Sequence, residues 1–325
     1  MSASRRALLA APALLALPGP RSGRAQEAFP SRAISVVSGY APGGVTDITS
    51  RAVAERMARE LPQPMVVENR VGAATAVANT HVAQARPDGH TLLMGTSTLA
   101  INPALQPNLT PREPMRELAP IGMVFRTAFV LHVHPSVPAR TTEEFIALAR
   151  REPGRINFGS SGTGAVNHLA QALLAARAGV EFTHIPFRGG APALIELRAG
   201  RIQAMFQAVQ EALPVVREGA TRALGVSSTT RNALLPDVPP VADAVPNFEA
   251  VFWQGLFAPA GTPEPILARL GSVLRVATDD AALRARLAEQ GVDIVTGDAT
   301  VLRDTLARET QLWGELIRSA NIRPE

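Results

Sequence analysis

Short apolar runs alternate with stretches of helical period along most of this chain. Residues 34–37, 65–67 and 91–95 have the length and composition of strands, and helical pattern fills 46–61 and 73–86 between them. Pro87-Asp88-Gly89 stops the second helix, and a proline-rich loop is expected over residues 102–114. A new unit begins with the apolar run 128–135. Thr141 or Thr142 caps the next helix, with Glu143 and Glu144 in its first turn, where acids suit the helix dipole. Strands are expected over 156–158, 183–187, 203–207, 222–226 and 251–257, with one helix ending near 178 and another over 191–199. A cluster of prolines between Leu234 and Pro246 reads as a linker. Two helices close the chain, over 263–290 with a break near Asp279 and over 300–318. This alternation predicts an α/β protein with mainly parallel sheets.

The closing segment has too few strands for a domain and is expected to pack back onto the first unit. Two lobes follow, residues 26–125 plus 251–325 and residues 126–250, joined by crossings near 124–128 and 248–253. Paired crossings make a hinge, and the cleft between the lobes suits a ligand that closes it. Two glycine-rich turns, each after a strand and opening a helix, would lie at the carboxyl ends of parallel strands. The first is Tyr40-Ala41-Pro42-Gly43-Gly44-Val45-Thr46-Asp47, and the second runs from Gly159 through Ser160, Ser161, Gly162, Thr163 and Gly164 to Asn167-His168. A helix start exposes unpaired N–H groups and partial positive charge, so each turn is a candidate anion seat.

Composition narrows the partners. The formal charge of +4 comes from Arg5, Arg6, Arg21 and Arg24; without the first 25 residues, 28 Arg face 28 acids. Nothing in that balance favours nucleic acid or an anionic membrane. Residues 1–25 read as an export signal, with Arg5-Arg6 before an apolar stretch and Gly23-Arg24-Ala25 as the cleavage site. The same segment reads equally as an ordinary or a twin-arginine signal. Either sends the protein to a periplasm. Cysteine and lysine are both absent, which excludes disulfides, thiolate chemistry, lysine Schiff bases and a Walker-type lysine.

Each candidate has a plain structural alternative. In the first turn Gly43-Gly44 permits close backbone approach, and Asp47 either caps the helix or reads an ammonium group. In the second, the hydroxyls of Ser160, Ser161 and Thr163 crowd around three glycines, and His168 faces either cleft or core. Neither turn holds an arginine, so an anion there would rest on neutral donors and water, with Arg188 the nearest basic candidate. Gly159-Ser160-Ser161-Gly162 is not a nucleophile elbow, and Asn167 stands where a dinucleotide fingerprint needs glycine. His132-x-His134 lacks a third metal ligand. No cofactor is expected.

Seven ordered motifs then carry a resemblance. They are Ala41-Pro42-Gly43-Gly44-x-x-Asp47, Val66-Val67-Glu68-Asn69-Arg70, Pro87-Asp88-Gly89-His90-Thr91-Leu92-Leu93, Ile101-Asn102-Pro103, Asn167-His168-Leu169-Ala170, Leu235-Pro236-Asp237-Val238-Pro239 and Ala258-Pro259-Ala260-Gly261-Thr262-Pro263. Together they resemble the Bug-type substrate-binding proteins of tripartite tricarboxylate transporters across the chain after residue 25. The resemblance implies a two-lobe periplasmic-binding-protein fold of type II-like form, with no catalytic activity. It implies a small mono- or dicarboxylate held between the lobes, membrane transporter subunits as partner, and a monomer. Carried over residue by residue, the ligand would meet Tyr40, Ala41, Gly43, Gly44, Thr46 and Asp47 on one side. On the other it would meet Ser160, Ser161, Gly162, Thr163, Gly164 and His168, with Thr96, Ser97, Arg188 and Gln207 as additions. Gln207 stands where the family often has Asp, which weighs against an amino-acid ligand. Two other readings remain at this point: a ligand-presenting partner of a membrane sensor kinase, and an exported hydrolase using Ser160 or Ser161 with His168.

Overall fold

The computed structural model describes residues 29–289 and 292–324, so the expected export signal lies outside the described residues. The chain runs β1 (Ile34–Ser38), α1 (Val45–Ala58), β2 (Met65–Asn69), α2 (Ala76–Ala83), β3 (Thr91–Thr96), α3 (Thr98–Leu105), α4 (Pro114–Glu117) and β4 (Leu118–Val133). It continues with α5 (Thr142–Arg151), β5 (Asn157–Ser160), α6 (Val166–Ala178), β6 (Thr183–Pro186), α7 (Gly190–Arg198), β7 (Ala204–Ala208), α8 (Val209–Arg217) and β8 (Arg222–Val226). It closes with β9 (Val251–Pro259), α9 (Glu264–Thr278), α10 (Ala281–Ala288), β10 (Ile294–Asp298) and α11 (Ala299–Ser319).

The α/β class holds, but the sheet is mixed rather than mainly parallel. Parallel pairing is confined to two βαβ-type groups, β2-β1-β3 and β6-β5-β7. Everything that joins them is antiparallel: β3 to β9, β9 to β4, and β4 to β7, β8 and β10. The reason lies in the connections. One strand carries the chain out of the first group and another brings it back, so neighbouring crossings must run in opposite directions. β4 is the outgoing strand; its first part pairs with β9 from Leu118↔Pro259 to Ala128↔Val251, and its last part enters the second group beside β7 and β8.

Three local expectations change. The helix expected over 73–86 starts only at Ala76, because Ala73, Ala74 and Thr75 take positive φ angles of 45°, 49° and 74°. That unusual turn is clamped: Asn102 Nδ2 donates to the Ala74 carbonyl at 2.9 Å, and Thr75 Oγ1 lies 2.8 Å from Thr98 Oγ1. The loop expected from 102 begins later, since Asn102 and Pro103 belong to α3. Buried Leu99, Ala100, Ile101 and Leu105 hold α3 against α11, and that packing overrides the proline signal. The closing segment also supplies a strand, β10, and α11 touches α6 as well as α3 and β4, so it does not serve the first group alone. The Thr141 cap is formed as expected, with Thr141 Oγ1 accepting from Glu144 N at 3.2 Å.

Behind the crossing strands lies a buried carboxyl. Trp253 Nε1 on β9 donates to Glu309 Oε2 at 2.7 Å, and Trp313 Nε1 donates to the same oxygen at 3.3 Å. Burial pushes Glu309 up to about 7 although both indoles pull the other way. The folded protein therefore holds a proton that the unfolded chain releases near its ordinary value, so stability falls as pH rises from about 4.5 to about 7. We expect Glu309→Gln to remove a fall on the order of 3 kcal/mol across that window, measured by urea unfolding at stepped pH. Identical pH profiles for the two proteins would refute this.

Candidate functional site

A cavity of about 610 Å³ opens at the carboxyl ends of β1, β5 and β7. Its floor is made by the crossing strands. Phe125, Thr127 and Phe129 project from alternate positions of β4, and Phe252 from β9 packs edge-on against both Phe125 and Tyr40. Arg126, between two of the floor residues, points to the opposite face and pairs with Glu249 at 3.0 Å.

The first glycine turn forms one wall through Tyr40, Ala41, Pro42, Gly44, Val45 and Thr46. Gly43 has φ +87°, a conformation that favours glycine, and Gly44 is the helix N-cap. The first i→i−4 bond of α1 runs from Ile48 N to Gly44 O at 3.0 Å, so the N–H groups before it have no intrahelical acceptor. Asp47 does not face the cavity. Its carboxylate accepts from Gly43 N at 3.0 Å, Arg51 Nε at 3.0 Å and Asn69 Nδ2 at 2.8 Å, inside the turn. Burial raises its pKa, but these donors outweigh that and hold it below the usual carboxylate range. Asn69 also donates to the Tyr40 carbonyl at 2.9 Å, so it braces the turn from the end of β2.

The second glycine turn forms the facing wall through Ser161, Gly162, Thr163, Gly164, Ala165, Val166 and Asn167. Gly164 has φ +80°, and a Cβ there would meet Leu105 Cδ2 at 2.1 Å, so the turn sits directly on α3. Ser161 Oγ donates to Asn167 Oδ1 at 2.9 Å, and Asn167 Nδ2 donates to the Phe206 carbonyl at 3.2 Å, tying the turn to β7. Ser160 and His168 lie behind the wall. Gly164 N donates to His168 Nδ1 at 3.0 Å, and the His168 ring stacks on His184 at 3.7 Å. Ser160 Oγ lies 2.7 Å from His184 Nε2. Neither expected hydrolase pair, Ser160–His168 or Ser161–His168, is therefore hydrogen-bonded. Burial first, and the nearby His184 second, lower His168 to about 4.

Several further residues from the sequence reading sit off the cavity. Thr96 Oγ1 supports the Tyr40 hydroxyl at 3.2 Å, and Ser97 Oγ accepts from Trp253 N at 3.1 Å. Arg188 is exposed and does not line the wall. Gln207 does line it, together with Asn102 of the Ile101-Asn102-Pro103 motif and residues the sequence reading did not single out, Ala74, Thr98, Gln106, Gln210 and Glu211 among them. Gln210 and Glu211 open α8, a helix left out of the sequence reading. Its signal was present, since Val209, Ala212 and Val215 form an apolar stripe at helical spacing directly after a strand.

The comparisons agree with this architecture. Residues 49–322 match the family model described as "Tripartite tricarboxylate transporter family receptor". A Pseudomonas sp. (strain P51) protein from the tcbD–tcbE intergenic region is 36% identical over 315 residues, covering 96% of this chain and 94% of that protein. Protein BugT of Bordetella pertussis is 31% identical, with 90% of each chain covered. Among solved structures, MatC from Rhodopseudomonas palustris with bound malate is 34% identical, at a TM-score of 0.73, covering 89% of this chain and all 100% of that one.

His168 yields a prediction about the second turn. Its Nδ1 accepts from Gly164 only when unprotonated, so its share of stability is full above about 6.5 and is lost as pH falls toward about 4. We expect His168→Ala to lower stability at pH 7.5 by about 1–2 kcal/mol, through the unpaired Gly164 N–H. Its acid-side fall should be shallower than the unaltered protein's, read as melting temperature against pH.

Proposed function

Because the chain belongs to the tripartite tricarboxylate transporter receptor family, we propose that it captures a small carboxylate in this cavity and delivers it to transporter subunits. On this reading it acts in the periplasm, as a monomer and without catalytic activity. The observation that supports the proposal is that two helix-opening glycine turns, each a candidate anion seat, line one cavity. Each wall starts a helix whose first N–H groups lack intrahelical acceptors, and no acid side chain from either turn reaches the cavity. Neutral donors and bridging water would hold the carboxylate, since no arginine lines the wall among the described residues. The volume falls within the usual range for small-molecule sites, about 300–1,000 Å³.

Residues 26–125 plus 251–325 and residues 126–250 are the two lobes in this reading. They hinge where β4 and β9 cross, and closure brings the two glycine turns onto the ligand. The closed form would then be the one the membrane partner recognises.

A ligand that binds only the native state stabilises it by mass action, about 2.7 kcal/mol at a concentration of one hundred times Kd. A panel of mono- and dicarboxylates should therefore include at least one that raises the melting temperature by several degrees. In Gly44→Val the added Cβ meets only the Ala41 carbonyl, at 3.9 Å. The variant should fold, with a capping cost of about 1 kcal/mol, and should lose the ligand-induced shift because the backbone can no longer be approached closely. A full shift in Gly44→Val would remove the first turn from the site.

A further inference from the structure

A second cavity, of about 460 Å³, lies on the reverse face of the strands that floor the first. Along β4, Phe125 and Phe129 line the front cavity, whereas Arg126 and Ala128 line this one. Thr127 borders both, so a single layer of strands separates them. On β9 the same alternation gives Phe252 to the front and Val251 to the back. Arg126 and Glu249, ion-paired at 3.0 Å, belong to the back wall.

The two sides of this back cavity come from distant parts of the chain. Residues 228–234, which follow β8, form one side. Ala288 at the end of α10, with Val292, Asp293 and Val295 around the start of β10, forms the other. The first side is held by bonds within its own loop. Ser228 Oγ donates to the Thr230 carbonyl at 2.7 Å, Arg231 Nη1 to the Pro236 carbonyl at 2.9 Å, and Leu234 N to Asn232 Oδ1 at 2.9 Å. The second is held by its own group, where Val292 N donates to the Leu287 carbonyl at 2.9 Å and Arg284 Nη1 to the Ile294 carbonyl at 3.1 Å. Among the described residues, no hydrogen bond or ion pair joins 228–234 to 288–295. The two sides can therefore part or approach without breaking a bond between them.

We propose that the width of this back cavity controls closure of the front one. This rests on the hinge reading above, in which 228–234 and 288–295 belong to different lobes. A rotation at the β4–β9 crossing that brings the glycine turns together moves the back sides apart, because the two cavities lie on opposite faces of the same strands. Bulk that fills the back cavity stops its sides from approaching. It thereby excludes the widest-open arrangements of the front and enriches the closed one. A ligand recognised by the closed form then gains apparent affinity in proportion to the closed fraction, with none of its own contacts altered. Ala233 and Ala288 are the positions that set this width, one on each side, and both are small and exposed.

The test reads lobe separation directly. The chain has no cysteine, so nitroxide labels attach only at Val71→Cys and Arg188→Cys. Both positions are exposed, and each stands two residues beyond an outer strand, β2 or β6, so the distance between labels shortens as the front cavity closes. Electron–electron distance measurements compare this labelled protein with versions that also carry Ala233→Trp or Ala288→Trp, with melting temperature verifying the fold of each. Without ligand, the short-distance population should grow about twofold or more in each tryptophan version. The lobes are seen to move if the labelled protein shows two distances, or one that shifts with millimolar malate or succinate. If they move and either tryptophan leaves the short-distance population unchanged or reduces it, back-cavity control is overturned while the hinge survives. A single distance, the same in all three proteins with or without those acids, removes the hinge reading and the proposal together.

Discussion

The antiparallel ladder between β4 and β9 is the constraint on which the rest of this structure depends. It is the place where the outgoing and returning chain meet, paired from Leu118↔Pro259 to Ala128↔Val251. Alternation along β4 sends Phe125, Thr127 and Phe129 to the cavity floor and Arg126 to the other face, where Glu249 receives it. On β9, Phe252 faces the cavity and the next residue, Trp253, is buried behind it with its indole on Glu309. A one-residue slip of this ladder would exchange floor and back, so the site and the α11 packing are fixed by the same register.

Around that ladder the protein arranges three strand-to-helix junctions whose chemistry has diverged. Two are glycine turns that present backbone donors, and each is rigidified from behind by a side chain pointing away from the cavity: Asp47 in one, His168 in the other. The third, β7 into α8, places Glu211 on the cavity wall, where its carboxylate accepts from Gln207 Nε2.

Most of the candidate site was legible in the sequence at the level of turns and illegible at the level of side chains. Tyr40, Ala41, Gly44, Thr46, Ser161, Gly162, Thr163, Gly164 and Gln207 line the cavity. Gly43, Asp47, Thr96, Ser97, Ser160, His168 and Arg188 do not. Most of the second group are polar residues consumed by the turns they belong to. Spacing places such a residue near a helix start, but it does not say whether its oxygen or nitrogen points out to a ligand or back to a backbone N–H. Glu211 escaped notice for the opposite reason, because its helix was not singled out and its carboxylate reaches the cavity only through the fold.

By itself the sequence determined the α/β alternation, most strand and helix positions, and the two glycine turns, because these follow from local periodicity and from backbone conformations that favour glycine. Tertiary structure alone decided the mixed sheet, the extension of α3 through Pro103, the late start of α2, and the direction of each polar side chain. Strand direction depends on where the chain crosses and returns, and side-chain direction on partners distant in sequence, such as Asn69 for Asp47. Neither quantity has a local signal, so the two glycine turns could be anticipated from the chain, whereas the place of Glu211 beside them became visible only when β7 and α8 were set against those turns.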